Sequence, residues 1–261
     1  MHNNKRMNYA PKPFAAYDLD GTLFKSSVVE KSIPIAVEFG IFNTAAFDDA
    51  YTSKENWQKD NNEGTYNAYI KKLVDAFVGQ MAGVRVDAFD EVIMELVRSQ
   101  SVRRYSFTKR LMNFVADTHE NILITGSPTI LAGPFVQDIP GIKKVYGSTY
   151  EVADGKYTGV AQSVGSKAAI LANLIQAREV SSNGSIAVGD TVSDIPMLHV
   201  ADHPIAFNPS HTLAQYGREF GWDKVTEVKD NITPSRLGDN NTYSEVALND
   251  FLDNLRRSVN T

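Results

Sequence analysis

Asp18-Leu19-Asp20-Gly21-Thr22-Leu23 places two carboxylates two residues apart, directly after the short apolar run Phe14 to Tyr17. At a strand-to-loop transition the first acid sits at the strand tip and the second emerges from the loop. Glycine permits a tight turn or a close backbone approach, and Thr22 offers a hydroxyl and a backbone N–H. Two acids beside backbone donors suit a magnesium-bound phosphate, with one acid attacking and the other moving protons. Gly189-Asp190-Thr191-Val192-Ser193-Asp194 adds two carboxylates four apart at another strand end. Magnesium takes oxygen ligands, usually few of them from protein. Asp18 and Asp190 can supply two directly, with the Asp20 carbonyl as a third, while Asp194 orients water or holds the loop. Capping of the next helix is the plainer role for Asp194.

Thr125-Gly126-Ser127 follows the apolar run Ile122 to Ile124. A hydroxyl and backbone N–H groups at such a tip can cradle phosphoryl oxygens, although Ser127 could equally cap a helix. Lys167, in Gly165-Ser166-Lys167-Ala168, starts a helix and can supply the cation that a phosphoryl site crowded with aspartates needs. Gly159 to Lys167 narrowly misses the P-loop pattern, with five residues between its glycines and serine ahead of lysine, so a nucleotide P-loop is rejected. The five histidines, His2, His119, His199, His203 and His211, show no metal-ligand spacing. They read as surface or capping residues. No Gly-x-Ser-x-Gly elbow supports serine-triad chemistry.

Three elements must bring these clusters together: Phe14–Tyr17, Ile122–Ile124 and Ile186–Val188, short apolar runs that read as buried parallel strands. In such sheets the site lies beyond the carboxyl ends of the strands. Further strands are expected at Lys144–Gly147, Pro204–Phe207 and Lys224–Val228. Asp154-Gly155-Lys156 marks a hairpin turn between Tyr150–Val152 and Tyr157–Val160. Helices are expected at 167–177, 193–200 and 245–255, the last packing on the core.

Between the first two site strands the texture changes. Tyr66, Tyr69, Ile70, Leu73, Val74, Phe77 and Met81 recur at helical spacing, as do Val86, Phe89, Val92, Ile93, Leu96 and Val97. Ala45 to Trp57 offers another helix. The stretch reads as an α-helical insert serving as a lid. The expected fold class is α/β: a doubly wound, Rossmann-like parallel sheet core, residues 1–26 and 106–261, with a small α-helical cap domain, residues 27–105.

The 261 residues and 43% hydrophobic content suffice for a sizeable core. Net charge is −5 and the isoelectric point near 5.6, and no basic stripe points to nucleic acid. The chain has no cysteine, which removes disulfides and thiolate chemistry and fits a reducing compartment. Residues 1–13 read as a polar tail without signal-peptide character, and no membrane span is evident. A cytoplasmic, soluble protein, monomer or homodimer, is expected.

The ordered set Asp18-x-Asp20-Gly-Thr, Thr125, Lys167 and Gly189-Asp190-x-x-x-Asp194 resembles the haloacid dehalogenase superfamily. The insert after the first motif, Asp154-Gly-Lys-Tyr-Thr-Gly159, Asn208-Pro-Ser…Leu213 and Gly221-Trp222 are similar to its phosphoserine-phosphatase-like branch. The resemblance spans nearly the whole chain. It implies a Mg2+-dependent phosphatase acting on a small phosphorylated metabolite through an aspartyl-phosphate, with Asp18 as nucleophile and Asp20 as acid and then base. Thr125, Gly126, Ser127 and Lys167 would bind phosphate, and Asp18, Asp20, Asp190 and Asp194 would serve the metal. The branch's substrate-reading glutamate, nine residues after the nucleophile, is replaced by Ser27, with Glu30 three residues later. Ser193 stands where the branch carries asparagine. Both departures disfavour phosphoserine itself. Arg85 and Arg98 are candidate substrate-reading cations in the insert. Phosphoserine phosphatase proper, a phosphotransferase and a catalytically silent binding protein of the same fold are the alternatives.

Overall fold

The computed structural model describes residues 10–60, 62–139, 141–238 and 241–257. His2 and most of the expected N-terminal tail lie outside them. In chain order the elements are β1 (Pro13–Tyr17), α1 (Val28–Glu38), α2 (Asp48–Asp60), α3 (Glu63–Met81), α4 (Val86–Gln100), α5 (Ser106–Val115), β2 (Glu120–Pro128) and α6 (Thr129–Val136). There follow β3 (Ile142–Ala153), β4 (Lys156–Gln162), α7 (Lys167–Gln176), β5 (Ser181–Gly189) and α8 (Ile195–Leu198). The chain closes with β6 (His203–Phe207), α9 (His211–Glu219), β7 (Asp223–Val228), β8 (Asn231–Leu237), β9 (Tyr243–Glu245) and α10 (Leu248–Arg257).

The chain divides into two compact units. Among the described residues, the first comprises 10–17, Ser106–Ile122 and 166–257. Its central strands β1, β5, β6 and β7 lie side by side, each pair parallel. Parallel strands covered on both faces need apolar side chains on both, and all five residues of β1 are buried. β8 and β9 extend this sheet antiparallel. Phe107 of α5 stacks on Phe207 of β6 at 5.5 Å and meets Phe251 of α10 at 6.2 Å. The C-terminal helix thus packs on the core, as its amphipathic pattern implies.

The second unit comprises Asp18–Tyr105 and Leu123–Gly165. Helices α3 and α4 supply the periodic apolar residues: Tyr69, Leu73, Phe77, Met81, Phe89, Val92 and Leu96 are all buried. Phe42 meets Phe77 edge-on at 5.3 Å, and Phe77 and Phe89 meet Tyr150 and Tyr157 of the hairpin at 6.0 and 5.9 Å. β3 and β4 form that hairpin, antiparallel, with Asp154 and Gly155 both at positive φ in the turn.

Several local expectations change. The separate strands foreseen at 144–147 and 150–152 are one continuous strand, β3. The helix expected over 193–200 is a 3₁₀ turn, Val192–Asp194, followed by the single turn α8. His119 is not a surface residue: it is 2% exposed, and its ring nitrogens contact the Thr118 hydroxyl and the Gly184 carbonyl at 2.9 and 3.0 Å. Burial pulls its pKa down.

Candidate active site

β1 pairs with β5 so that Tyr17 lies opposite Val188. The ends of β1 and β5 therefore lie at the same edge of the sheet, and Asp18 and Asp190 are the next residues in the chain. Asp190 and Asp194 share the loop after β5, where one carboxylate oxygen of each lies within 4.8 Å of the other's. Oxygen ligands of an octahedral magnesium, bonded at about 2.0–2.1 Å, sit about 3–4 Å from one another. The all-oxygen donor set suits such an ion in its chemistry, and the spacing is close to what it needs. Asp18 is 7% exposed, and a buried acid among other acids needs a cation.

Asp194 is fully buried and holds its surroundings in place. One oxygen accepts the Asp190 and Thr191 backbone N–H groups, each at 3.0 Å. The other accepts Lys167 Nζ at 2.6 Å. Lys167, the first residue of α7, is 7% exposed. Gly189 makes this possible: a Cβ there would lie 2.4 Å from Asp194 Cβ and 2.7 Å from its Oδ2. Asp194 thus combines loop holding with a capping box alongside Thr191.

Asp20 sits in a tight turn. The Leu19 carbonyl accepts the N–H groups of Thr22, Leu23 and Phe24, and Gly21 adopts φ +83°, a conformation that favours glycine. The backbone N–H of Thr22 is thereby used inside the turn. Asp20 Oδ1 accepts the N–H of Val28, the first residue of α1, at 2.8 Å. Its Oδ2 accepts the Ser127 hydroxyl.

Thr125, Gly126 and Ser127 lie within β2, not in a loop beyond it. Thr125 and Ser127 are 1% and 6% exposed. Thr125 Oγ1 accepts the Ser127 N–H at 3.1 Å. Ser127 caps no helix: Pro128 is the residue before α6, which has no side-chain cap. β3 supports this tip, with Ser148 Oγ donating to the Gly126 carbonyl at 2.6 Å. A Cβ on Gly147 would lie 2.4 Å from the Ser127 carbonyl oxygen.

The helices also hold a polar cluster that no sequence pattern marks. Glu30 accepts hydrogen bonds from Lys54 and from the Tyr69 hydroxyl, the latter at 2.8 Å. Burial alone would raise the Glu30 carboxyl, but those two donors hold it below its ordinary value. Burial and the Glu30 charge push the Tyr69 hydroxyl up. Polar residues spaced along three helices carry no local signal of meeting. Arg98 is exposed and bidentate to Glu95, at 2.7 Å through each nitrogen. Arg85 precedes α4 and pairs with Asp87 at 3.2 Å.

A model of the haloacid dehalogenase-like hydrolases matches residues 15–199, well over half of the chain. The chain belongs to this family. Among similar members, a Mycobacterium leprae protein named as a hydrolase is 25% identical over 236 residues, which cover 86% of this chain and 75% of that protein. Phosphoserine phosphatase SerB1 of Mycobacterium tuberculosis is 25% identical over 152 residues, 56% of this chain. The matched part spans less than half of that relative's length, 46%. A substrate-bound phosphoserine phosphatase complex shares the fold at a TM-score of 0.57 and 18% identity, covering 79% of this chain and 91% of that one. The α/β architecture with central parallel strands is thus that of a haloacid dehalogenase-like hydrolase. Among the described residues no helix is long and apolar enough to cross a membrane.

Proposed function

We propose that the chain is a magnesium-dependent phosphatase that hydrolyses a small-molecule phosphate monoester through an aspartyl-phosphate on Asp18. The observation that carries this reading is the pairing of the Asp190 and Asp194 carboxylates on the loop after β5, with Lys167 bonded to one of them. Asp18 and Asp190, with the Asp20 carbonyl, would hold the magnesium, which offsets charge on the acids and on the phosphoryl oxygens.

Asp18 Oδ attacks phosphorus in line, forming a P–O bond as the bond to the ester oxygen breaks. Asp20, protonated at this stage, gives its proton to that oxygen. Its carboxylate then takes a proton from water, the resulting hydroxide attacks phosphorus, and the bond to Asp18 breaks to release phosphate. Thr125, Gly126 and Lys167 hold the phosphoryl group. The helices of residues 27–105 act as a cap domain that reads the leaving group and limits water. Ser27 at the branch's substrate-reading position argues for a leaving group other than serine. A cysteine-free chain fits a cytoplasmic setting.

The test is hydrolysis of 4-nitrophenyl phosphate and a panel of phosphorylated metabolites, with magnesium and with chelator. Wild type turns over at least one ester only with the metal. Asp18→Asn, with an unchanged unfolding midpoint, loses about a thousandfold or more. No turnover by wild type across the panel, or near-wild-type turnover by the variant, overturns the reading.

A further inference from the structure

We propose that Ser127 is a positioning residue for the acid–base carboxylate of Asp20, its hydroxyl serving proton transfer to the leaving group and not phosphoryl binding. This rests on the phosphatase reading above and refines it.

The protons that Ser127 carries limit what it can bind. A serine offers two donors, one hydroxyl and one backbone N–H. The Ser127 hydroxyl donates to Asp20 Oδ2, and its N–H donates to Thr125 Oγ1. Phosphoryl oxygens accept hydrogen bonds, so a residue with both donors committed has none for them. Asp20 receives the complementary contact at its other oxygen, from Val28 N–H at 2.8 Å. Two donors from chain segments about a hundred residues apart thus take one lone pair on each oxygen. They fix the plane of the carboxylate. A hydroxyl bonded to a carboxylate is among the stronger hydrogen bonds.

The position of Ser127 is built from outside as well. The approach of the Ser127 carbonyl to Gly147 leaves no room for a Cβ there, and Ser148 anchors the carbonyl of the preceding residue. The 6% exposure of Ser127 follows from this seating.

General acid catalysis matters most for a leaving group that must be protonated and least for one that leaves as a stable anion. The experiment compares Ser127→Ala with wild type in kcat/KM, which reports steps up to phosphoenzyme formation. One substrate is an alkyl phosphate that wild type accepts, the other 2,4-dinitrophenyl phosphate. The alkyl ester loses about 10- to 100-fold, the range for one hydrogen bond to a charged group, while the dinitrophenyl ester changes by less than about threefold. Inhibition by inorganic phosphate, a direct measure of phosphoryl binding, keeps its wild-type constant. Equal loss on both esters, no loss on either, or weakened phosphate inhibition overturns the proposal. The phosphatase reading survives those results, because wild-type turnover and the Asp18→Asn loss are measured separately. Absence of wild-type turnover overturns both. Should the alanine variant not fold, the near-isosteric Ser127→Cys carries the same comparison.

Discussion

Lys167 Nζ and Asp194 Oδ1 lie 2.6 Å apart, with 7% and 0% of their side chains exposed. The pair joins the start of α7 to the turn before α8, and the same aspartate fixes the Asp190 and Thr191 backbone. Removing one member of a buried pair strands its partner in a medium that solvates charge poorly. Asp194→Ala takes away the acceptor of four donors at once, the Thr191 hydroxyl included. It is expected to cost about 3–5 kcal/mol, read from urea unfolding. A loss below about 1 kcal/mol would contradict this account.

Gly189 and Gly126 both stand beside site residues, and the structure separates their roles. A Cβ on Gly189 collides with Asp194, whereas one on Gly126 meets nothing within 4 Å. Gly126 also has no positive φ. Gly189→Ala should therefore destabilise by at least about 1–3 kcal/mol, as overpacking does. Gly126→Ala should leave stability unchanged within about 1 kcal/mol or raise it, because it removes unfolded-state freedom without strain. Paired thermal unfolding curves decide it, and equal losses for the two would refute the assignment.

Asp223 gives the fold a pH signature. Burial lifts its carboxyl from the ordinary range to about 6, although Arg236, 3.7 Å away, pulls the other way. A carboxyl with a raised folded-state pKa binds its proton more tightly folded than unfolded. Its contribution is therefore complete below about pH 4 and is lost as pH climbs to about 6. About two pKa units correspond to a contribution on the order of 2–3 kcal/mol. His119 and His203, both pulled down by burial, act oppositely and lose stability as pH falls below about 6.5. The difference between wild type and Asp223→Asn isolates the first effect. Wild type should lose ground to the variant between pH 4 and 6, measured by urea midpoints, and a flat difference would count against it.

The strands that carry the acids were legible because burial on both faces demands continuous apolar runs, as in Phe14–Tyr17 and Ile186–Val188. The helices over 66–81 and 86–97 were legible from their period, and the hairpin from Asp154-Gly155. Other elements hid for identifiable reasons. α1 contains Pro34, which ordinarily signals a break. α6 is apolar on nearly every side and also contains a proline, so no period stands out. β8 carries Pro234 in its middle, against the usual reading of a strand. At the site, residue types betrayed the acids and the lysine, but not the division of tasks among hydroxyls. Whether Ser127 faces a phosphate or Asp20 depends on how β2 meets a turn 107 residues away in sequence. No local pattern encodes that meeting.

The corner between α3 and α4 is stitched to the β3–β4 hairpin. Gly83 N–H reaches the Tyr157 carbonyl, Tyr157 N–H reaches that of Val84, and Val86 N–H reaches that of Gly155. Gly159, at φ +82°, lies so close to Ala82 that a Cβ would sit 2.8 Å from the alanine methyl. A block of helices inserted at one point of a chain is ordinarily a cassette that can be cut out at its two crossings. Here the cassette is discontinuous, since its far corner is sewn to a hairpin that the chain reaches only after β2. Grafting a relative's helices onto this scaffold would leave that seam unmatched. The part that can be exchanged as one piece is the helices together with their hairpin.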